Sequence, residues 1–101
     1  MSYSNLVGEV LTFKLSSGEE VIGKVIEATA TTLLLSEPLS VAPNHQGMGL
    51  VPSMFTAEHD KPVTLNTNTV TMHCETADAI RMKYIEATTG IATTSKKIVL
   101  G

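Results

Sequence analysis

Three histidines, one cysteine and a few acids are the side chains in this sequence with the chemistry for catalysis or metal binding. A zinc site takes about four ligands at consistent spacing. His45 and His59 stand alone in polar stretches. His73 and Cys74 are neighbours, and on a strand neighbouring side chains point to opposite faces. No metal site within one chain is expected, which leaves only a site shared between subunits. Cys74 as a nucleophile would need a base and an electropositive pocket, and no motif around it supplies them. It reads instead as a small buried apolar group. Glu19-Glu20 and Glu37 read as solvated surface, because their spacing defines no acid–base geometry. Gln46-Gly-Met-Gly49 is too short to cradle a phosphate, and no phosphate loop, serine elbow or dinucleotide fingerprint is present. The expectation is a protein with no catalytic residue and no cofactor, made for binding or assembly rather than for an enzyme's work.

The elements that would carry such a surface are mostly strands. Residues 10–15 alternate, with Leu11, Phe13 and Leu15 on one face and Thr12 and Lys14 on the other. Ser16-Ser-Gly18-Glu19 is a turn in which Gly18 supplies the left-handed residue, and 21–26 returns as a β-branched strand, so 10–35 reads as a β-hairpin opening the domain. Gly23 inside the second strand costs stability unless it permits a sharp bend or a close backbone approach. Residues 33–35 begin a third strand, and Pro38 predicts an edge or a break before 39–41. The stretch 43–62 reads as a long inserted loop, with 50–56 as a possible strand inside it. Short strands follow at 63–65 and 70–74, separated by Asn66-Thr-Asn-Thr69. From 76 to 90 the period becomes helical. Thr76 is placed to cap, Asp78 falls in the first turn, Ala77, Ile80, Tyr84 and Ala87 share a face, and Gly90 is placed to end the helix. Residues 91–101, with Lys96-Lys97 and Ile98-Val-Leu100, form a tail that reads as a last strand or an arm on a neighbour.

The 101 residues fit one domain, and a hydrophobic content of 43% suffices for a packed core. With no Trp, two Phe and two Tyr, that core must rest on Val, Leu, Ile and Met. The formal charge of −3, from seven Lys and Arg against ten Asp and Glu, makes no basic stripe for nucleic acid in a monomer. A ring of subunits can still concentrate its few cations on one rim. A lone cysteine suits a reducing compartment. The opening MSYSNLVGEV has no basic region followed by an apolar run, and no apolar run approaches the ~20 residues of a membrane span. A soluble cytoplasmic protein with no membrane partner is expected.

The segment Leu11-x-Phe13-x-Leu15-x-x-Gly18-x-x-x-x-Gly23-x-Val25 resembles the first motif of the Sm/Lsm/Hfq-like family, over about a quarter of the chain. More broadly, Gln46-Gly-Met-Gly-Leu50 and Tyr84-Ile-Glu-Ala-Thr-Thr-Gly90 are similar to small Sm-like proteins of unassigned role from marine tailed bacteriophages. The resemblance implies a mainly β fold: a small, strongly bent five-stranded barrel, here with one C-terminal helix. It implies a homo-oligomeric ring, commonly of six or seven subunits in the family, and RNA as partner. Its location would be the host cytoplasm or, for a phage protein, the virion. Members that bind uridine-rich RNA carry an acid, then an aromatic or Met followed by Asn, between the second and third strands. Here Thr29 takes the acidic position, and Thr32 and Leu33 replace the base-stacking pair. The Arg-Gly of the second motif is replaced by Asn66-Thr67, with Asn68 following. Lost with these changes are base stacking, worth about 1–3 kcal/mol per base, and a permanently charged bidentate fork. The family helix precedes the first strand, whereas this one follows the last. The resemblance implies RNA contacts at Thr29, Thr32, Leu33, Asn66 and Asn68, with Lys14 and Lys24 as phosphate contacts. The alternative is an assembly ring, virion-associated, that keeps the scaffold without the RNA site.

Overall fold

A computed structural model describes residues 3–58 and 60–89. Among these residues the chain is mainly β, with six antiparallel strands and one α-helix. The strands are β1 (Val10–Leu15), β2 (Glu20–Ala28), β3 (Thr32–Asn44), β4 (Gly47–Pro52), β5 (Val63–Asn66) and β6 (Val70–Glu75), and the helix is α1 (Asp78–Thr89). The sheet runs β4-β3-β2-β1-β6, and β5 also pairs with β3.

The β1–β2 hairpin follows from its pattern. Leu11 and Phe13 are fully buried while Thr12 and Lys14 are less so. The turn closes through Leu15 N–H to Glu19 C=O at 2.8 Å, with Gly18 at φ 93°. Leu11, Phe13, Val25, Leu33, Leu35 and Tyr3 form the core. Each large aliphatic or aromatic side chain buried there contributes about 1.5–3 kcal/mol.

Gly23 meets both conditions that justify a glycine in a strand. It lies opposite Leu11, and a Cβ there would stand 3.3 Å from Leu35 Cδ1. It also faces a bulge: β2 pairs Ile22 with Leu39 and Lys24 with Ser36, so Glu37 and Pro38 stand opposite Gly23 alone. Glu37 takes φ 46°, outside the strand region. A second irregularity leaves Ile26 as the extra residue on β2. Bulges bend the strand that carries them and increase local twist.

Pro38, where an edge or a break is expected, does not end β3: the strand runs through it, with a register irregularity against β2 at that point. The edge of β3 away from β2 changes partner there, pairing residues 32–35 with β5 and 39–44 with β4. A proline, which has no N–H to donate, is tolerated at such a junction. The expected loop 43–62 is corrected likewise. Its first part is a hairpin, with six register pairs between β3 and β4 and a turn at His45-Gln46. Asn44 Oδ1 accepts the Gln46 N–H at 2.8 Å and Gly47 takes φ 121°. This hairpin is why the sheet has six strands where five were expected.

β5 and β6 occupy opposite ends of the path β5-β3-β2-β1-β6, yet only Thr67–Thr69, a 3-10 turn, joins them. Four residue steps reach about 14 Å, whereas four strand spacings in a flat sheet measure about 19 Å. The sheet therefore curls until its two edges approach. No register pairs β5 with β6 among the described residues, so it does not close.

Helix α1 is held by Tyr84, its one buried residue; Ile80 is half-buried, and Ala77 and Ala87 are exposed. Thr76 does not cap the helix as expected. Its hydroxyl donates to Val10 C=O at 3.2 Å and lies 2.9 Å from Thr12 Oγ1, tying the strand–helix junction to β1. Among the described residues no helix is long and apolar enough to cross a membrane. Gly90 and the tail 91–101 lie outside the described residues, as does His59.

Candidate functional site

The two turns singled out in the sequence meet. Thr67 N–H donates to Thr31 C=O at 2.9 Å, and Thr32 pairs with Asn66 across β3 and β5. Within the first turn Thr29 Oγ1 accepts the N–H groups of Thr32 at 3.0 Å and Thr31 at 3.3 Å, and lies 2.7 Å from Thr32 Oγ1. These are local side-chain bonds of the kind that build threonine turns. In the second turn Thr69 Oγ1 donates to Asn66 C=O at 2.7 Å, and Ser16 N–H donates to Thr69 C=O at 2.7 Å. The turn thus bridges the β2–β3 connection and the end of β1. Thr29, Asn66 and Asn68 are exposed, Thr32 is half-buried, and the amides of Asn66 and Asn68 can donate and accept.

Leu33 does not join this surface. It is 0% exposed, inside the core, because strand alternation turns it inward next to Thr32. The position that replaces half of the stacking pair therefore offers nothing to a base. The two lysines are also separated. Lys14 pairs with Glu20 and Lys24 with Val10, at opposite ends of the β1–β2 ladder, about 13 Å apart by strand rise.

His73 and Cys74 point to opposite sides, as a strand requires, but the burial of Cys74 is the reverse of the expectation. His73 turns inward, its ring 4.8 Å from that of Tyr3 and 6.4 Å from that of Phe13, with Nδ1 buried and without a hydrogen-bond partner. Cys74 faces outward, exposed, opposite Thr12. His45 sits in the exposed β3–β4 turn. Among the described residues no three His, Cys, Asp or Glu side chains gather to hold a metal. Glu19 is exposed, as expected of a surface acid, and its carboxylate also accepts the hydroxyl proton of Ser40. Ser40 Oγ also lies 2.9 Å from Ser53 Oγ. This pins the β1–β2 turn to the β3–β4 hairpin.

Two features were missed by sequence reasoning. Tyr84 Oη donates to Ser36 C=O at 2.5 Å and accepts the Lys24 N–H at 3.2 Å, so the hydroxyl stands in the β2–β3 ladder where the bulge parts the strands. Burial raises the Tyr84 pKa above its ordinary 10.0; the Lys24 N–H works against this and Glu37 adds to it. The lone aromatic in a helical stretch was its only signal. The second feature is the set of one-sided strands: among the described residues β4 and β5 each pair only with β3, and β6 only with β1. Met72 on β6 is 66% exposed beside Cys74. Compared with known proteins, the sequence matches no family model and no curated protein.

Proposed function

We propose that the chain is an Sm-like barrel that assembles with copies of itself into a closed ring and serves as a structural or assembly module. The observation that carries this reading is that β5 and β6, joined by the turn Thr67–Thr69, each have one edge with no strand partner among the described residues. An edge strand with free N–H and C=O groups is a template for another strand. Two different edges on one protomer make a head-to-tail contact, which closes into a ring when the rotation per subunit divides a full turn. Exposed Met72 and Cys74 on β6 would be covered in such a contact. The curl of the sheet, the bulges at Gly23 and Ile26, and the first-motif spacing all support the bent Sm-like barrel.

Lysines on an edge strand are a natural device against pairing, so the double variant Met72→Lys, Cys74→Lys tests the interface. Chemical cross-linking of the parent chain should give a ladder that stops at one ring size. The variant should give a single band while keeping its thermal transition. An unchanged ladder in the variant would remove β6 from the interface.

A second reading, RNA binding, is supported by the meeting of the Thr29-containing turn with Asn66 and Asn68. Repeated around a ring, these amides would line one rim. Gel shifts at low salt with uridine-rich and adenine-rich RNA test it. Binding that weakens in Asn66→Ala, Asn68→Ala supports the rim, and no shift at micromolar protein rejects it.

A further inference from the structure

On the outer edge of β3, β4 and β5 lie in one line. β4 ends with Pro52 opposite Leu39, and β5 starts with Val63 opposite Leu35, so residues 36–38 face a gap in that edge. Beside the gap lies an apolar groove of about 430 Å³, whose lining includes Leu39, Met54, Phe55 and Val63, with Ala87 and Thr88 from the end of α1. Phe55 is 80% exposed. Leu39 stands opposite Ile22, Ile22 opposite Thr12, and Thr12 opposite Cys74. Residues directly opposite share a face, so the groove lies on the face of Thr12 and Cys74, away from Leu11 and Phe13.

Val63 belongs both to the groove and to the β5 edge, so the two surfaces are continuous. A ladder on the four residues of β5 is only about 13 Å long, too small alone for the roughly 1,200 Å² that a stable interface buries. More of the neighbouring copy must touch, and the groove is the apolar surface that adjoins the edge.

Alternation and charge indicate which part of the neighbour arrives there. On β5, Val63 and Leu65 are half-buried while Thr64 and Asn66 are exposed. On β6, His73 turns inward while Met72 and Cys74 are exposed, and the pairing with β1 is regular over 72–75. Antiparallel pairing of 63–66 with the neighbour's 72–75 sets inward beside inward and outward beside outward. It also puts the neighbour's Glu75 opposite Val63, two residues from Lys61, a diagonal that long side chains span. Parallel pairing would carry Glu75 away from Lys61. Past Glu75 the chain enters α1 at Asp78, on the face of Thr12, because the Thr76 hydroxyl lies 2.9 Å from Thr12 Oγ1. This is the face of the groove. The first turns of α1 carry exposed Ala79 and Met82, three residues apart and so neighbours on the helix surface. Arg81 and Lys83 flank Met82 and are opposite in charge to Glu37 and Glu58 of the groove.

We infer that in the ring proposed above the groove of each copy receives the first turns of α1 of the next, with Phe55 on Ala79 and Met82 and with Lys61 beside Glu75. Methionine against an aromatic ring is a favourable and adaptable contact. The helices then follow one another head to tail around the ring. The inference rests on the ring reading and adds the surface, beyond the strand edges, that holds it together.

Replacing Phe55 with the photoreactive p-benzoylphenylalanine tests the contact on the full chain. Illumination should join position 55 to residues 78–83, and a mixture of unlabelled and ¹⁵N-labelled chains should show by mass spectrometry that the joined peptides come from different copies. Cross-links within one copy, or to another surface of a ring that still forms, overturn the contact and leave the ring standing; a parent chain that is a monomer overturns both. Phe55→Asp reads the same contact without a cross-linker. It should keep the thermal transition of the fold and raise the concentration at which the ring dissociates tenfold or more. Dissociation at the parent's concentration contradicts the inference.

Discussion

Tyr84 is the residue on which the helix depends, and its hydroxyl makes a prediction about pH. The folded state binds the phenol proton more tightly than the unfolded state, because burial disfavours the phenolate. The stabilisation is therefore complete below the ordinary value of 10.0 and is lost as pH rises through the raised folded value. Urea midpoints measured from about pH 8 to 11 should fall at the alkaline end, and Tyr84→Phe should lose that fall. The same variant leaves the Lys24 N–H and Ser36 C=O without their partner and should lower stability by about 1–3 kcal/mol at neutral pH. Gly23 gives a second test. Gly23→Val forces methyl groups against Leu35 and should cost about 1–3 kcal/mol by denaturant unfolding. Gly23→Ala should cost far less, because the closest atom is the tip of a leucine that can shift. Gly23 was legible in the sequence, since a glycine amid β-branched residues has few other uses. The exposure of Cys74 was not. Alternation separates His73 from Cys74 but does not tell which faces the core, and on a strand with one neighbour the outer face stays in water.

At the scale of elements, β1, β2, β5, β6 and the helix were readable because period and turn chemistry agree in each. The β3–β4 hairpin was not. Pro43, Asn44 and two glycines read locally as loop, and only the ladder of six pairs with β3 makes the segment extended. Its turn depends on a backbone that L side chains adopt with difficulty. Gly47→Ala, at φ 121°, should cost about 1–2 kcal/mol. The loss should appear in hydrogen exchange as faster amides in β4 with β1 and β2 still protected. Matching acceleration across the whole sheet would mean that the hairpin belongs to the cooperative core rather than to a separate unit. The site turns were half legible. The sequence located both, but their contact through Thr31 and Thr67 depends on the curl of the sheet, and that arises from bulges no local pattern encodes.

The described residues form a curled sheet in which the short turn between β5 and β6 brings together two edges that have no strand partner among those residues, and this arrangement gives the chain its proposed role. A ring of such subunits multiplies the charge of −3, so any RNA must approach against net repulsion that low salt strengthens. Assembly needs no such approach, only the backbone groups that β5 and β6 already present. The most direct test is the solution mass of the untagged protein by multi-angle light scattering. A single species at a fixed whole-number multiple of the 10.8 kDa chain, unchanged on dilution through the micromolar range, is the predicted result. A mass of 10.8 kDa at every concentration would contradict the ring.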